Sequence, residues 1–169
     1  MRITILGLPG SGKSTLAKKI SEKLHIPHIH LDHFWLEAGG GHNSRSTPDP
    51  ERAHANVRSK ALEAIQQDSW VSDGVFRLVQ PEIAKRADVV ILLDIPLWRR
   101  LLNHAARTFR REASHDGMTF WKNIEFFPEL IQREFTKKPK IKELLEAHQA
   151  KLVTLHSRRE VAEYLQNLR

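Results

Sequence analysis

A lysine and two hydroxyl side chains end a glycine-rich turn near the start of the chain. Residues 7–15 read Gly-Leu-Pro-Gly-Ser-Gly-Lys-Ser-Thr and directly follow the apolar run of residues 3–6. Glycines let backbone N–H groups face an anion without side chains in the way, and a lysine adds positive charge. The pattern GxxxxGK[ST] between a strand and a helix is typical of a phosphate-binding loop. It predicts a nucleoside triphosphate site.

Each residue type in this loop has a predicted role. Lys13 is expected to contact the β- and γ-phosphates, and the Ser14 hydroxyl to ligate Mg²⁺. A helix predicted from about Lys13 to Leu24 adds the attraction of its N-terminal dipole. An ordinary turn would need neither side chain. We therefore expect ATP, or another nucleoside triphosphate, to contact residues throughout the loop, namely Gly7, Pro9, Gly10, Ser11, Gly12, Lys13, Ser14 and Thr15.

Short apolar runs alternate with helical patterns along the rest of the chain, which predicts a parallel sheet with helices on both faces. The predicted strands are Ile3–Leu6, His28–Leu31, Trp70–Ser72, Val89–Leu93 and Leu152–Leu155. The predicted later helices are Asp49–Gln67, Pro96–Arg111, Phe127–Phe135, Lys140–His148 and Arg158–Leu168. Asp49 and Pro50 suit the N-cap and first helical positions.

Three carboxylates follow predicted strands: Asp32, Asp73 and Asp94. Ligands of such sheets bind at the carboxyl ends of the strands, so these side chains are candidates for chemistry. Asp73 precedes a glycine and either holds Mg²⁺ together with Ser14 or simply forms a turn. Asp94 is the alternative metal partner.

Composition bounds the remaining possibilities. The 169 residues suit a single domain, and the lack of cysteine excludes disulfides and thiolate–zinc sites. Neither a signal peptide nor a membrane span is predicted, so we expect a cytoplasmic protein. The net charge is +7, and residues 99–169 contribute most of it, with 15 basic against 9 acidic residues. Such an excess favours polyanionic ligands, either nucleotides or nucleic acid.

The chain resembles the adenylate-kinase-like small P-loop kinases, and among them the bacterial DNA topology modulation proteins. Four segments besides the loop carry the resemblance: IHLDHFW (29–35), WVSDGVF (70–76), RADVVILLDIP (86–96) and KLVTLHSRREVAEYL (151–165). The resemblance implies a three-layer α/β P-loop NTPase fold with a five-stranded parallel sheet in the order 2-3-1-4-5. It also implies a single domain, 1–169, with an acceptor-binding insert at 33–69 and a lid at 112–125.

The same resemblance assigns roles to charged side chains. Arg107 corresponds to the arginine at the base of the lid that offsets charge on the transferring phosphoryl group, and Arg111 lies at the entrance of the lid. Asn103 stands where adenylate kinases carry another arginine. Asp73 corresponds to the carboxylate that holds Mg²⁺ through water, whereas Asp94 matches a segment in which the carboxylate caps the following helix.

The acceptor side stays open between two chemistries. Asp32 is placed as in shikimate-kinase-like enzymes, where a carboxylate after the second strand accepts a hydroxyl proton or orients a sugar. A nucleotide acceptor would need arginine clamps instead, for which Arg45, Arg52 and Arg58 are candidates or else a solvated helix face. His28 and His30 share a strand face with Asp32, and we interpret them as half-buried residues near the acceptor rather than as zinc ligands.

Together these observations predict a kinase that transfers the γ-phosphoryl group of ATP, with Mg²⁺, to a small acceptor: a nucleoside, a nucleotide or another hydroxyl compound. The predicted catalytic residues are Lys13, Asp32, Arg107 and Arg111, and the predicted metal-binding residues are Ser14 and Asp73. The alternatives are a DNA-associated nucleotide-binding protein that influences DNA topology, or an ATPase switch without an acceptor. Direct nucleic-acid binding is not favoured, because no DNA-reading motif is present. A monomer or a homodimer is expected.

Overall fold

Five parallel strands form one sheet at the centre of the molecule. The computed structural model describes residues 1–40, 47–109, 127–136, 138–146 and 151–168. The strands are β1 (Arg2–Gly7), β2 (His28–His30), β3 (Trp70–Asp73), β4 (Val89–Leu93) and β5 (Leu152–Leu155). Their order is β2-β3-β1-β4-β5, and every neighbouring pair is parallel. The predicted fold class and strand order are confirmed.

Helices connect the strands. In chain order they are α1 (Lys13–Leu24), α2 (Leu31–Glu37), α3 (Pro50–Ala64), α4 (Gln80–Arg86), α5 (Leu97–Phe109), α6 (Phe127–Thr136), α7 (Lys138–Glu146) and α8 (Arg158–Asn167). None of the helices among the described residues is both long and apolar enough to span a lipid bilayer.

The two faces of the sheet carry separate apolar cores, because successive strand residues point to opposite sides. In β1, Ile3 and Ile5 face one core and Leu6 faces the other. The first core packs against α1 through Leu16, Ala17 and Ile20, and against Leu168 directly after α8. The second packs against α3, α4 and α7 through Ala61, Ile83, Ile141 and Leu145, and against Ile65 directly after α3. Burial on both faces fixes the β1 carboxyl end, where the glycine-rich loop begins.

The predicted start of α3 is confirmed in detail. The Asp49 carboxylate accepts a hydrogen bond from the Arg52 backbone N–H at 3.0 Å, and Pro50 occupies the first turn. This cap satisfies one of the N–H groups that a helix start leaves unpaired.

The structure differs from the prediction at two element ends and in one additional helix. The second strand ends at His30, and Leu31 already begins α2, so Asp32 lies in the first turn of a helix and not in a loop. Leu31 is fully buried in this helix, so burial alone does not separate strand from helix in a short apolar run. The helix α4 was not predicted, and α3 ends at Ala64 instead of Gln67.

Candidate functional site

The glycine-rich loop joins β1 to α1, and positive φ angles favour glycine at residues 10 and 12. Gly12, directly before α1, has a φ of 94°, and Gly10 has a φ of 78°, which side chains rarely adopt. A Cβ on Gly10 would also lie 2.8 Å from the Arg100 carbonyl oxygen, whereas one on Gly12 would meet nothing within 4 Å. Close approach of α5 to the loop therefore selects glycine at residue 10.

The interior of the loop presents groups that suit an anion. The Lys13 Nζ donates to the Leu8 carbonyl oxygen at 3.3 Å, and the Ser11 backbone N–H donates to the same oxygen at 3.2 Å. The Ser11 Oγ is buried and has no hydrogen-bond partner among the described residues. A buried hydroxyl without a protein partner is costly, so this group is suited to contact a polar ligand such as a phosphate oxygen. These features fit a phosphate group.

Asp73 lies beside the loop at the end of β3 and is completely buried. Its carboxylate accepts a hydrogen bond from the Ser14 Oγ at 2.5 Å and contacts the His28 Nε2 at 2.7 Å. The His30 Nδ1 lies 3.4 Å away, and the two imidazoles are stacked. Burial acts to raise the pKa of Asp73, but the His28 hydrogen bond, the His30 charge and the Ser14 hydroxyl outweigh it and hold this pKa below its ordinary value. Asp73 is therefore an ionised carboxylate in a buried setting.

Ser14 and Asp73 together form the donor set that Mg²⁺ prefers. Mg²⁺ binds hydroxyl and carboxylate oxygens and usually keeps several waters, so it needs few protein ligands beside a nucleotide. The contact between these two side chains places both oxygens at the mouth of the phosphate loop. The residues fit the ion.

The opposite rim of the loop is held by α5. The Arg100 Nη1 donates to the Pro9 carbonyl oxygen at 3.4 Å, and the Asn103 Nδ2 donates to the Gly10 carbonyl oxygen at 2.8 Å. Asn103 also accepts a hydrogen bond from Arg158 at the start of α8. Two successive loop carbonyls are thus bound by side chains one helical turn apart.

Arg100 is itself buried and belongs to a chain of charges. Its guanidinium pairs with Glu134 of α6, Glu134 accepts from Lys138 at 3.0 Å, and Lys138 pairs with Asp94 at 2.8 Å. Burial lowers the pKa of Arg100, while Glu134 and Asp94 oppose that shift. The hydrogen bond to Asp94 raises the pKa of Lys138. For Asp94 the structure thus records an ion pair with Lys138, and its role as a helix cap stays a prediction.

A cavity of about 620 Å³ opens beside the loop between α1, α5 and α8. Gly10, Ser11 and Gly12 form its inner wall, and its charged lining among the described residues is entirely basic: Lys19, Arg99 and Arg158. Apolar side chains complete the far wall, including Leu165 and Val161. Its volume lies within the range of small-molecule sites, and its charge suits a phosphorylated ligand.

The other side of Asp73, at the β2–β3 edge, has a different character. Asp32 is exposed in the first turn of α2, and its Oδ1 lies 3.5 Å from the position of a Cβ on Gly74. Nearby, the rings of Trp35, His54 and Phe76 pack with centroids 4.8–5.8 Å apart. The Nδ1 of His54 is buried and lacks a partner within the described part of the chain.

The structure therefore brings the predicted loop residues, Asp73 and Asp32 to one end of the sheet. Arg107 lies in α5, but its side chain is outside the described part of the structure, as are Arg111, Arg45 and the segment 112–125. Arg58 forms an ion pair with Glu82. His28 and His30 contact Asp73, and the described residues contain no cluster of three or more side chains that would hold a metal.

Sequence reasoning missed the contacts of Arg100 and Asn103 with the loop. In sequence, Arg100 looks like its neighbour Arg99 in a basic helix. One signal was present: no acidic residue occurs between Ile95 and Glu112, so the helix lacks local counter-ions for its arginines.

Comparison with known proteins gives a consistent result. A family model described as the AAA domain matches residues 6–119. An adenylate kinase of Clostridium botulinum (strain Loch Maree / Type A3) is 30% identical over 88% of this chain and 81% of its own length. An adenylate kinase of Moorella thermoacetica is 34% identical over 48% of this chain but only 35% of its own length. The match to the Moorella protein thus spans only about a third of that protein's length.

Solved structures support the fold alone. A shikimate kinase from Acinetobacter baumannii in complex with shikimate has a TM-score of 0.61 and 18% identity, covering 99% of this chain and 89% of that one. The finer resemblance to DNA topology modulation proteins stays a prediction.

Proposed function

This chain belongs to the AAA domain family, among the small P-loop kinases, and from that premise we propose that it transfers the γ-phosphoryl group of ATP to a small acceptor. The observation that carries the proposal is the contact between the Ser14 hydroxyl and the Asp73 carboxylate at 2.5 Å, beside a loop with a buried, unpartnered Ser11 hydroxyl. A turn that only connects a strand to a helix does not need these groups. A hydroxyl and a carboxylate beside a glycine-rich loop are the groups that hold the metal of a bound triphosphate in P-loop enzymes.

Phosphoryl transfer is mainly a matter of positioning and charge stabilisation, and the residues divide that work. The loop amides and Lys13 hold the β- and γ-phosphates, and the basic cavity between α1, α5 and α8 receives the rest of the nucleotide. Ser14 and Asp73 would hold Mg²⁺, which supplies charge neutralisation of the phosphate oxygens when bound. Arg107 offsets charge that develops on the transferring group.

Asp32 orients the acceptor in this proposal. It lies next to Gly74, directly after Asp73, so it faces the same end of the sheet from the β2–β3 side. An exposed carboxylate there can accept a proton from a hydroxyl group as that oxygen attacks phosphorus. The acceptor is therefore a hydroxyl compound such as a nucleoside, bound by the insert 33–69, and a nucleotide acceptor is the variant that requires arginine clamps.

A panel of nucleosides, nucleoside monophosphates and small alcohols, each incubated with ATP and Mg²⁺, tests the proposal through ADP release. One class should stimulate release, and the K13A variant should lower it by roughly 100-fold or more with unchanged thermal unfolding. Hydrolysis that no compound stimulates would favour the ATPase switch. Duplex DNA binding that weakens steeply with salt would favour the DNA-associated alternative. Full turnover by K13A would refute the scheme.

A further inference from the structure

We infer that Arg100 is a positioning residue for the phosphate loop, and that Glu134 of α6 holds it in that role. The inference rests on the proposed function, because the loop is taken to bind a nucleotide. It adds a residue pair outside the phosphate-binding motif, on two helices that are separate from it in sequence.

The guanidinium of Arg100 joins three parts of the molecule. The side chain is 1% exposed, its Nε donates to the Ile95 carbonyl oxygen at 3.1 Å, and its Nη1 donates to the Pro9 carbonyl oxygen at 3.4 Å. Its Nη2 pairs with Glu134. A planar group with donors in fixed directions locks these partners relative to one another.

The bond to Pro9 matters because of peptide geometry. In a trans peptide the carbonyl oxygen and the following N–H point in opposite directions. When Arg100 binds the Pro9 oxygen from the α5 side, the Gly10 N–H is turned to the opposite side, away from α5. Asn103 binds the Gly10 oxygen in the same way at 2.8 Å. Side chains of α5 thus set the orientation of two successive loop peptides.

Glu134 keeps Arg100 in place. A buried guanidinium needs a counter-ion, because desolvation of an unpaired charge is costly. Glu134 is in turn held by Lys138, which also pairs with Asp94 just beyond β4. The position of α6 and the orientation of the loop peptides are therefore linked through one carboxylate.

The test compares an apolar replacement of this pair with a matched replacement elsewhere. The R100M/E134L double variant removes both charges while filling similar volume, a change that folded proteins often tolerate. The control is R159M/E163L, which removes an ion pair on α8 whose side chains are 88% and 53% exposed. The R100K variant keeps a charge but cannot reach all three partners. Thermal unfolding and the Kd for a non-hydrolysable ATP analogue with Mg²⁺ are measured for each.

We expect R100M/E134L to unfold cooperatively and to bind the analogue at least tenfold more weakly than the wild type, with R100K intermediate and the control within twofold. The KM for ATP should rise more than kcat falls, because the pair acts on binding. Equal affinity of R100M/E134L and wild type would overturn the inference alone. If the double variant does not fold, the Kd of R100K for the analogue decides, and a value equal to that of the wild type overturns the inference. A wild type that does not bind the analogue would overturn the proposed function itself.

Discussion

The phosphate loop and the β2–β3 edge meet at Asp73 but are stabilised in different ways. The loop is held by side chains on both sides: the buried Arg100 and the partly buried Asn103 bind its carbonyls, and the buried Asp73 binds Ser14. At the β2–β3 edge, Asp32 is exposed and the nearby packing comes from the aromatic rings of Trp35, His54 and Phe76. The loop is thus fixed by polar contacts with neighbouring elements, whereas the β2–β3 edge is shaped by aromatic packing.

Alanine substitution of the two carboxylates should separate these regions most clearly. D73A leaves Ser14 and His28 without their buried partner, so we expect the free energy of unfolding to fall by about 3 kcal/mol. D32A removes an exposed side chain, so stability should stay within about 0.5 kcal/mol. The turnover of D32A should fall by roughly 100-fold, because Asp32 is proposed to take the proton of the attacking hydroxyl group. Urea unfolding and ADP release measure both effects, and equal destabilisation would contradict the comparison.

Two glycines with the same φ give a second test. Gly10 and Gly39 both have a φ of 78°, but only a Cβ on Gly10 would meet other atoms within 4 Å. G39A should cost about 1 kcal/mol for the backbone conformation alone. G10A should cost about 2–3 kcal/mol, because α5 must also shift, and should weaken binding of an ATP analogue. Equal losses in unfolding and intact binding would show that the contact with Arg100 is unimportant.

Acid unfolding should report the environment of Asp73. The folded pKa of this carboxyl lies below its ordinary value of 3.8. The contribution of its partners to the free energy of unfolding is therefore fully present above about pH 3.8, the ordinary pKa of an aspartate. It is lost as the pH falls through the lower pKa of the folded state. The stability difference between the wild type and D73N should narrow over this acid range. A difference that stays constant with pH would show that Asp73 is not charged when buried.

The smallest effect is expected at His54. Its Nδ1 is buried without a hydrogen-bond partner among the described residues, and its ring packs against Phe76 at 5.3 Å. H54F removes this unsatisfied group and keeps the aromatic packing, so stability should rise by up to about 1 kcal/mol. Thermal unfolding measures the change. The control is H33F, which makes the same substitution at an exposed position of α2. A marked loss of stability in H54F would show that this nitrogen has a polar partner.

The phosphate loop and the alternation of strands and helices were predictable because their signals are local, whereas the strand order was implied only by the family resemblance. Strand, glycine turn and helix follow one another without a gap in residues 2–24, and the apolar run of β4 shows burial on both faces. Asp49 and Pro50 likewise signal a helix start within two residues.

The rest depended on contacts between distant segments. Leu31 is apolar in a strand or a helix, so only packing decides that α2 begins there and carries Asp32 in its first turn. Arg100 reaches Pro9 across 91 positions and Glu134 across 34, and no spacing rule connects them. Local pattern predicts the phosphate site, and tertiary structure determines what surrounds it.

The Leu8 carbonyl oxygen of the loop contacts the Lys13 ammonium, so it competes with a ligand oxygen for that group. An anion that takes the place of this carbonyl oxygen gains only the difference between the two contacts, so part of its interaction with the ammonium does not appear in its measured affinity. A singly charged anion that touches the ammonium at one point gains little from it, whereas a polyphosphate that spans the whole loop offsets the exchange many times. We therefore expect the affinity of the loop to rise with the number of phosphate groups that a ligand places along it.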